Sequence, residues 1–288
     1  MNNNHCQKNK NSISLSKLDF SMRFLDLAFL VLVFGFYPAF ASGISTTIPS
    51  ASATNQKIFW RSFMTATYGT YNKQMKCWVS GDSTGKYCMR PHSFETIDVG
   101  SRKQIFATVA GAIISKDGND CHACNGNIGF FVLDASGKNL NIIAQSARYK
   151  PDGVNGRAPS AEGIKLRLIG PNGNYGWTVD NFDFGQGVAI EATTIKGVIG
   201  DQVLSLGTVP KSFNNDEDCE DNKTISSGEP CSDYKYEASF DTAKPNRFSP
   251  IILRSTGVLK GDTYTKTFIV PFDEKTFLYQ LPKELADQ

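Results

Sequence analysis

The sequence predicts an all-β fold, an antiparallel sandwich or barrel-like set of sheets with one short N-terminal helix. From about residue 104 onward, short apolar segments alternate with Gly, Asn, Asp and Pro at intervals of roughly ten residues, a pattern typical of sandwiches and barrels. Several late segments alternate apolar and polar side chains, as strands with one wet face do. No segment after residue 68 has a helical period, so a doubly wound α/β enzyme is not expected.

Residues 1–41 have the three parts of an export signal. A basic leader precedes an apolar run over 27–36, and Ala39-Phe40-Ala41 then gives the small-x-small pattern at which signal peptidases cut. The apolar run is shorter than the roughly 20 residues that span a bilayer. We therefore expect cleavage before Ser42, with translation starting at Met1 or Met22. The alternative is an uncleaved N-terminal anchor, which would also leave the body outside the cytoplasm.

The expected mature body is formally neutral, with 26 basic and 26 acidic residues. It has no cluster of Lys and Arg that could displace counterions from phosphates, so nucleic acid is not an expected partner. We expect no cofactor, and contact with a membrane only through the signal segment. A carbohydrate or a protein of the envelope is the expected kind of ligand.

The N-terminal part of the body predicts a lead and a helix. Residues 42–55 are rich in Ser, Thr and Ala, which predicts a flexible lead before a single β-rich domain over 56–288. Asn55 is a suitable cap for a helix that extends to Tyr68 and ends at Gly69. Phe59, Phe63 and Ala66 would share one face of this helix. The strands predicted beyond it cover 104–114, 127–133, 140–147, 164–169, 175–179, 188–199, 202–206, 234–240, 251–259, 264–270 and 276–281.

The body has an even number of cysteines, as expected in an oxidising compartment. Each lies near another across a polar, turn-rich segment, and this proximity predicts three local disulfides: Cys77 with Cys88, Cys121 with Cys124, and Cys219 with Cys231.

The segment Cys121-His122-Ala123-Cys124 has three open interpretations besides the pairing of its cysteines with more distant ones. Turn-forming residues on both sides favour a small structural disulfide, because cysteines three apart can be bridged only across a turn. The same spacing occurs in thiol-disulfide exchange sites, although those begin a helix and a strand follows here. Zinc could be held by Cys121, Cys124 and His122, with His92 as a fourth ligand.

This segment also carries a resemblance to a protein family. With the hydrophobic strand that follows it, the later Gly185-Gln186-Gly187 and a C-terminal Phe-Asp-x-x-x-Phe/Tyr strand, it resembles uncharacterised exported bacterial proteins with a Cys-His-Ala-Cys motif. The resemblance covers about the last two thirds of the chain. It implies export and a β-rich body, and it brings no activity or functional residue with it.

Two further motifs have ordinary structural interpretations. The segment Gly81-Asp82-Ser83-Thr84-Gly85 matches the nucleophile turn of α/β-hydrolases, but no helix follows it. It also resembles the serine segment of trypsin-like proteases, but these need an upstream histidine, and only His5 of the predicted signal precedes Ser83, so we expect a hairpin tip. The acidic run over 214–222 has carboxylates suited to Ca²⁺ but lacks the spacing of a helical calcium loop, which favours a solvated loop closed by Cys219 and Cys231.

Aromatic side chains are the remaining candidates for a binding face. Trp60, Trp78, Tyr175 and Trp177 could stack on a sugar or a peptide, and core packing is the alternative use for them. The two histidines of the body, His92 and His122, offer few options for catalysis. We therefore expect an exported binding or structural module without catalytic residues. The alternatives are a thiol-disulfide exchange protein using Cys121 and Cys124, or a metal-dependent hydrolase.

Overall fold

The computed structural model describes most of the body of the chain. The described residues are 44–81, 85–114, 126–146, 151–152, 158–185, 187–215, 219–220, 224–225, 230–243 and 246–286. The predicted signal peptide and the segment with Cys121, His122 and Cys124 lie outside these ranges. Within the described residues, no helix is both long enough and apolar enough to cross a membrane.

The first sheet is an antiparallel meander built from the N-terminal half of the described chain. Its strands are β1 Ile44–Pro49, β2 Tyr71–Asn72, β3 Cys77–Gly81, β4 Lys86–Val99, β5 Arg102–Ile113, β6 Gly126–Asp134, β7 Asn139–Gln145 and β8 Pro151–Asp152. They pair in the order β2-β3-β4-β5-β6-β7, with β1 also on β7 and β8 also on β6. A 3-10 helix, Ser50–Thr54, and the helix α1, Gln56–Tyr68, connect β1 to β2.

The second sheet is also antiparallel and comes from the C-terminal half. The elements of this half are β9 Ile164–Gly170, β10 Asn174–Gly185, β11 Val188–Ile199, β12 Gln202–Asn214, β13 Cys219–Glu220, β14 Thr224–Ile225, β15 Asp233–Phe240, β16 Ile251–Leu259, β17 Asp262–Thr263, β18 Thr267–Val270, β19 Phe272–Asp273, β20 Leu278–Tyr279 and α2 Lys283–Ala286. The strands of the second sheet pair in the order β9-β10-β11-β12-β15-β16, and β17 and β18 both pair with β16, whereas β13-β14 and β19-β20 form separate pairs. A parallel bridge, Gln202 with Gln145, joins the first and second sheets into one continuous hydrogen-bonded sheet.

Strand β6 is buried on both faces because a layer covers each side of it. Successive side chains of a strand point to opposite faces, so neighbouring phenylalanines enter different cores. The ring of Phe130 packs between the sheets, 5.0 Å from the Trp177 ring, and the ring of Phe131 packs under α1, 4.9 Å from Phe63. The layers are therefore helix, first sheet and second sheet, which confirms the predicted all-β class with one short N-terminal helix.

The second sheet curls so that its two ends approach each other. The Ser249 amide, next to β16, donates to the Ile169 carbonyl of β9 over 2.8 Å, and β9 also lies in contact with β15. The curled face encloses the largest core cluster, whose buried members are Ile169, Ile195, Leu206, Val209, Tyr234, Tyr236, Phe248, Ile251, Leu253, Tyr264, Phe268, Val270, Phe272, Tyr279 and Leu285. The two sheets pack face to face as in the predicted sandwich, and the curl of the second sheet approaches the predicted barrel-like form without closing it by strand pairing among the described residues.

Helix α1 has the predicted bounds. The Asn55 side chain accepts a hydrogen bond from the Ile58 amide, and Gly69 ends the helix with a φ of 86°, a conformation that glycine adopts without strain. Phe59 and Phe63 are buried as expected, but Ala66 is exposed. The buried stripe also includes Met64 and Tyr68, so it is rotated away from Ala66.

Most of the predicted strands are confirmed, and the differences lie at their ends. The predictions for 188–199 and 251–259 match β11 and β16 in full, whereas 175–179 and 202–206 proved to be parts of the longer strands β10 and β12. The predictions for 264–270 and 276–281 were too long, since β18 and β20 are shorter.

Strands β3 and β4 were not predicted. Strand β4 carries Pro91 and several charged side chains, which are uncommon in a strand interior. It tolerates them because a bulge lies between Pro91 and Ser93 and because its outer residues are exposed. The β3-β4 pairing, Gly81 with Lys86, confirms that the Gly81 to Gly85 motif belongs to a hairpin connection.

The predicted flexible lead, residues 42–55, is wrong for residues 44–54. Strand β1 pairs with β7, the Thr46 hydroxyl donates to the Leu140 carbonyl over 2.6 Å, and Ile48 is buried. Few apolar residues among Ser, Thr and Ala give too little periodicity for a strand to be recognised from the sequence.

Two of the three predicted disulfides are confirmed. Cys77 is bonded to Cys88 across the β3-β4 hairpin, and Cys219 is bonded to Cys231 across the loop between β12 and β15. Their Cα separations, 5.4 Å and 6.1 Å, are ordinary for disulfides. The pairing of Cys121 with Cys124 stays a prediction, because both residues lie outside the described ranges.

We predict that Phe131→Ala lowers the free energy of unfolding by about 3 to 5 kcal/mol, because it removes a fully buried ring from the core between α1 and the first sheet. The matched control is Phe182→Ala, which removes the same atoms from an exposed site and should change stability by less than about 0.5 kcal/mol. Urea denaturation measures both values. Equal losses in the two variants would contradict the proposed layering.

We predict that the double variant Cys77→Ser, Cys88→Ser is less stable than the wild type by about 3 kcal/mol, because the unfolded chain gains the freedom of an open loop. The measurement is denaturation of both proteins without reductant, with peptide mapping of the remaining bridges. A double variant that unfolds at the wild-type denaturant concentration would show that this bond contributes nothing to stability.

Candidate functional site

A cavity of about 470 Å³ lies where the curled second sheet opens. Its floor is apolar and includes Ile195, Val209 and Ile251, whereas its walls are largely polar. Strands β9, β10, β11, β12, β15 and β16 all contribute to it. We call this cavity the mouth of the second sheet.

The alternation of side chains along β9 and β10 explains why the mouth is polar. On β9, Ile164 packs into the core between the sheets, while Lys165 and Arg167 line the mouth. On β10, Trp177 enters the same core and Thr178 faces the mouth, opposite Lys165 in the antiparallel register. Each strand thus supplies one apolar face and one polar face to two different environments.

Three charged side chains form a fixed network at one side of the mouth. The Lys211 ammonium lies 2.9 Å from a carboxylate oxygen of Asp180 and 2.9 Å from one of Glu191. The Thr193 hydroxyl donates to the other oxygen of Asp180 over 2.7 Å. Burial alone would lower the pKa of Lys211, but the hydrogen bonds and charges of Asp180 and Glu191 together raise it. The lysine is therefore held in its charged form.

A bulge in β12 places Lys211 in this network. The register between β11 and β12 shifts between Glu191 and Ala192, which pair with Ser212 and Pro210, so that Lys211 is the extra residue. A bulge redirects a side chain relative to regular pairing. Lys211 therefore reaches carboxylates from two neighbouring strands.

Two other cations in the mouth have no such partners. Among the described residues, neither Lys165 nor Arg167 forms an ion pair, and both side chains are exposed. Since Lys211 is offset by Asp180 and Glu191, Lys165 and Arg167 give the mouth an excess of positive charge.

An aromatic pair stands beyond the mouth on the β10-β11 hairpin. Phe182 and Phe184 are 53% and 51% exposed, and their rings are nearly parallel with centroids 6.5 Å apart. Residues two apart on a strand share a face, so both rings lie on the Asp180 side of the hairpin. Ile190, 47% exposed, lies on the opposite side of the hairpin.

The structure distributes the predicted aromatic residues away from the mouth. Trp177 is buried in the core, with its ring centroid 5.7 Å from that of Phe106. Trp60 is half-buried against Phe94, and the Trp78 indole donates to the Thr65 hydroxyl over 3.2 Å. These three tryptophans thus have packing roles, the alternative that the sequence left open.

Tyr175 lies at a second, smaller cavity of about 400 Å³ between the two sheets. Gln104, Asn174 and Arg247 also line this cavity, and the Asn174 amide donates to the Arg247 carbonyl over 2.6 Å. Amide groups beside an aromatic ring are suited to hydroxyl-rich ligands. Of the four predicted aromatic residues, Tyr175 is thus the one that lines a described cavity.

His92 is partly buried on β4, beside the bulge. Its Nδ1 atom lies 3.0 Å from the Thr108 hydroxyl, and its Nε2 atom is buried with no hydrogen-bond partner among the described residues. Burial lowers the pKa of His92, and the nearby Glu162 carboxylate and Ser160 backbone only partly offset this effect. The ring is therefore neutral in the folded protein at pH 7.

Metal and thiol chemistry was predicted for a segment outside the described ranges. Within the described residues, no three His, Cys, Asp or Glu side chains gather into a group that could hold a metal ion. The thiol-disulfide exchange site and the zinc site both require Cys121 and Cys124, so neither is tested by the described structure.

The mouth residues were not singled out from the sequence. Lys165, Arg167, Asp180, Glu191 and Lys211 come from four strands, and their meeting depends on register and on a bulge. The available signal was the alternation of charged and apolar residues over 164–169, which indicates a strand with one polar face but not what that face meets.

Comparison with family models, curated proteins and solved structures gave no match for this chain. The resemblance to exported proteins with a Cys-His-Ala-Cys motif therefore stays a prediction.

We predict that the wild type loses stability relative to His92→Gln as the pH falls from 7.5 to 5. The folded state lowers the pKa of His92, so the unfolded chain binds more protons below its own pKa of about 6.5, and acid favours unfolding. The difference between the free energies of unfolding of the two proteins, measured with urea at several pH values, shows this effect. Parallel pH profiles would contradict it.

Proposed function

We propose that this protein is an exported, non-catalytic binding module whose ligand site is the mouth of the second sheet. The observation that carries the proposal is a cavity of ligand size with an apolar floor, a fixed ion network and exposed cations on its wall. Small-molecule sites commonly have about 300 to 1,000 Å³ and combine apolar lining with a few placed polar groups. The open ends of curled sheets are frequent positions for them.

Export is supported by two independent features. The first 41 residues have the pattern of a signal peptide, and two disulfides connect segments of the body. Disulfides form and persist in oxidising compartments. In this proposal the protein binds its ligand in the periplasm or outside the cell.

The size of the mouth favours a small molecule over a protein segment. Its floor would cover an apolar body and its wall would contact a polar group, so the ligand is amphipathic. A carbohydrate would instead be suited to the cavity beside Tyr175, where the polar groups are amides and one guanidinium. Thiol-disulfide exchange or metal-dependent hydrolysis would rest on residues outside the described ranges.

We predict that the neutral fluorescent probe N-phenyl-1-naphthylamine binds the mature protein with one site per chain, and that Ala238→Trp weakens this binding by at least about tenfold. Ala238 lines the mouth from β15 and is exposed, so the indole would fill the cavity without entering the core. Fluorescence titration gives the dissociation constants.

The control for this experiment is Glu237→Trp. Glu237 is the preceding residue, is also exposed and does not line the mouth. It should leave probe binding unchanged. Absence of saturable binding to the wild type, or equal weakening by both tryptophans, would contradict a ligand site in the mouth.

A further inference from the structure

Some charged side chains of the mouth have ion-pair partners among the described residues, and others do not. Asp180 and Glu191 each lie 2.9 Å from the Lys211 ammonium, whereas Lys165 and Arg167 have no carboxylate partner among the described residues. A cationic ligand would have to compete with Lys211 for the carboxylates. An anionic ligand would meet two cations that are already available.

Lys165 and Arg167 are placed to act on one group. They are two residues apart on β9, so their side chains leave the same face about 7 Å from each other. Arginine offers a planar fork that matches a carboxylate or a sulfonate, and lysine adds a mobile ammonium. Both residues line the mouth, which Ala238 and Phe240 of β15 also line.

The floor of the mouth adds a second requirement. Ile195, Val209 and Ile251 present apolar surface that a small inorganic anion would leave uncovered. Burial of apolar surface stabilises a complex by roughly 25 cal/mol per Å², so a ligand with an apolar body is favoured. The pair Phe182 and Phe184, on the Asp180 side of the hairpin, offers further apolar surface beyond the rim.

We infer that the mouth binds an amphipathic organic anion, with one carboxylate or sulfonate beside Lys165 and Arg167 and an apolar body on the floor. This inference rests on the proposed function, because it names the ligand class of the same site. The Asp180-Lys211-Glu191 network positions the wall and does not hold the anion.

The test compares two probes that share one aromatic body. Anilinonaphthalene sulfonate carries the anionic group, and N-phenyl-1-naphthylamine lacks it. In low salt the wild type should bind the anionic probe about tenfold more tightly, and added salt should reduce this difference, since charges in exposed sites are screened. The double variant Lys165→Gln, Arg167→Gln should bind both probes with the affinity that the wild type has for the neutral one.

The matched control is Lys235→Gln, Arg254→Gln. It removes the same net charge from exposed positions on β15 and β16 that do not line the mouth. It should keep the preference for the anionic probe within about twofold of that of the wild type. Loss of the preference in this control would mean that overall charge, and not this site, attracts the anion.

A competition experiment defines the ligand further. Decanoate should displace the anionic probe, whereas decanol and inorganic phosphate at the same concentration should displace it at least about tenfold less well. Equal displacement by decanol, or by phosphate, would overturn the inference.

The two proposals fail in different ways. If the neutral probe binds and Ala238→Trp removes it, but the anionic probe has no advantage, the organic-anion inference is wrong and the proposed site stands. If the neutral probe does not bind the wild type at all, the proposed function itself is wrong.

Discussion

The burial of β6 on both faces is the constraint on which the rest of the structure depends. A strand covered on both sides needs apolar residues along most of its length, and Ile128 to Leu133 provide them around Gly129, although the buried Asn127 near its start is polar. Gly129 leaves room for the neighbouring Tyr68, Val109 and Phe131, since a Cβ there would come within 3 Å of each. Because both faces of β6 are apolar, α1 must cover one face of the first sheet and the second sheet must cover the other.

The covering of the first sheet on both faces determines where a ligand site can form. The first sheet has α1 on one face and the second sheet on the other, so its central strands are covered except at the smaller cavity beside Tyr175. The second sheet gives one face to Trp177 and its neighbours and curls around its other face. Apolar side chains fill the part of the curl away from the mouth. The mouth stays open because charged residues stand there in place of apolar ones, and charged residues are costly to bury without partners.

The fold class and most strands could be predicted from the sequence because they depend on local alternation. The matches at β11 and β16 and the cap at Asn55 are of this kind. Strand β4 was missed because Pro91 and its charged neighbours obscure the alternation, and β1 because its short sequence, rich in Ser and Thr, shows little alternation around the buried Ile48. The mouth could not be predicted, since the meeting of Lys211 with Asp180 and Glu191 depends on a bulge and on the pairing of three strands.

The paired charges at the mouth also explain why the cavity persists. If apolar residues stood at Asp180, Glu191 and Lys211, they would gain free energy by collapsing onto the floor and closing the space. Charged groups keep a hydrated wall, and mutual pairing keeps each of them in one position. The wall is thus arranged before a ligand arrives, which reduces the ordering that binding requires. Lys165 and Arg167, which have no such partners in the part of the chain that the structure describes, are the wall groups left to meet a ligand.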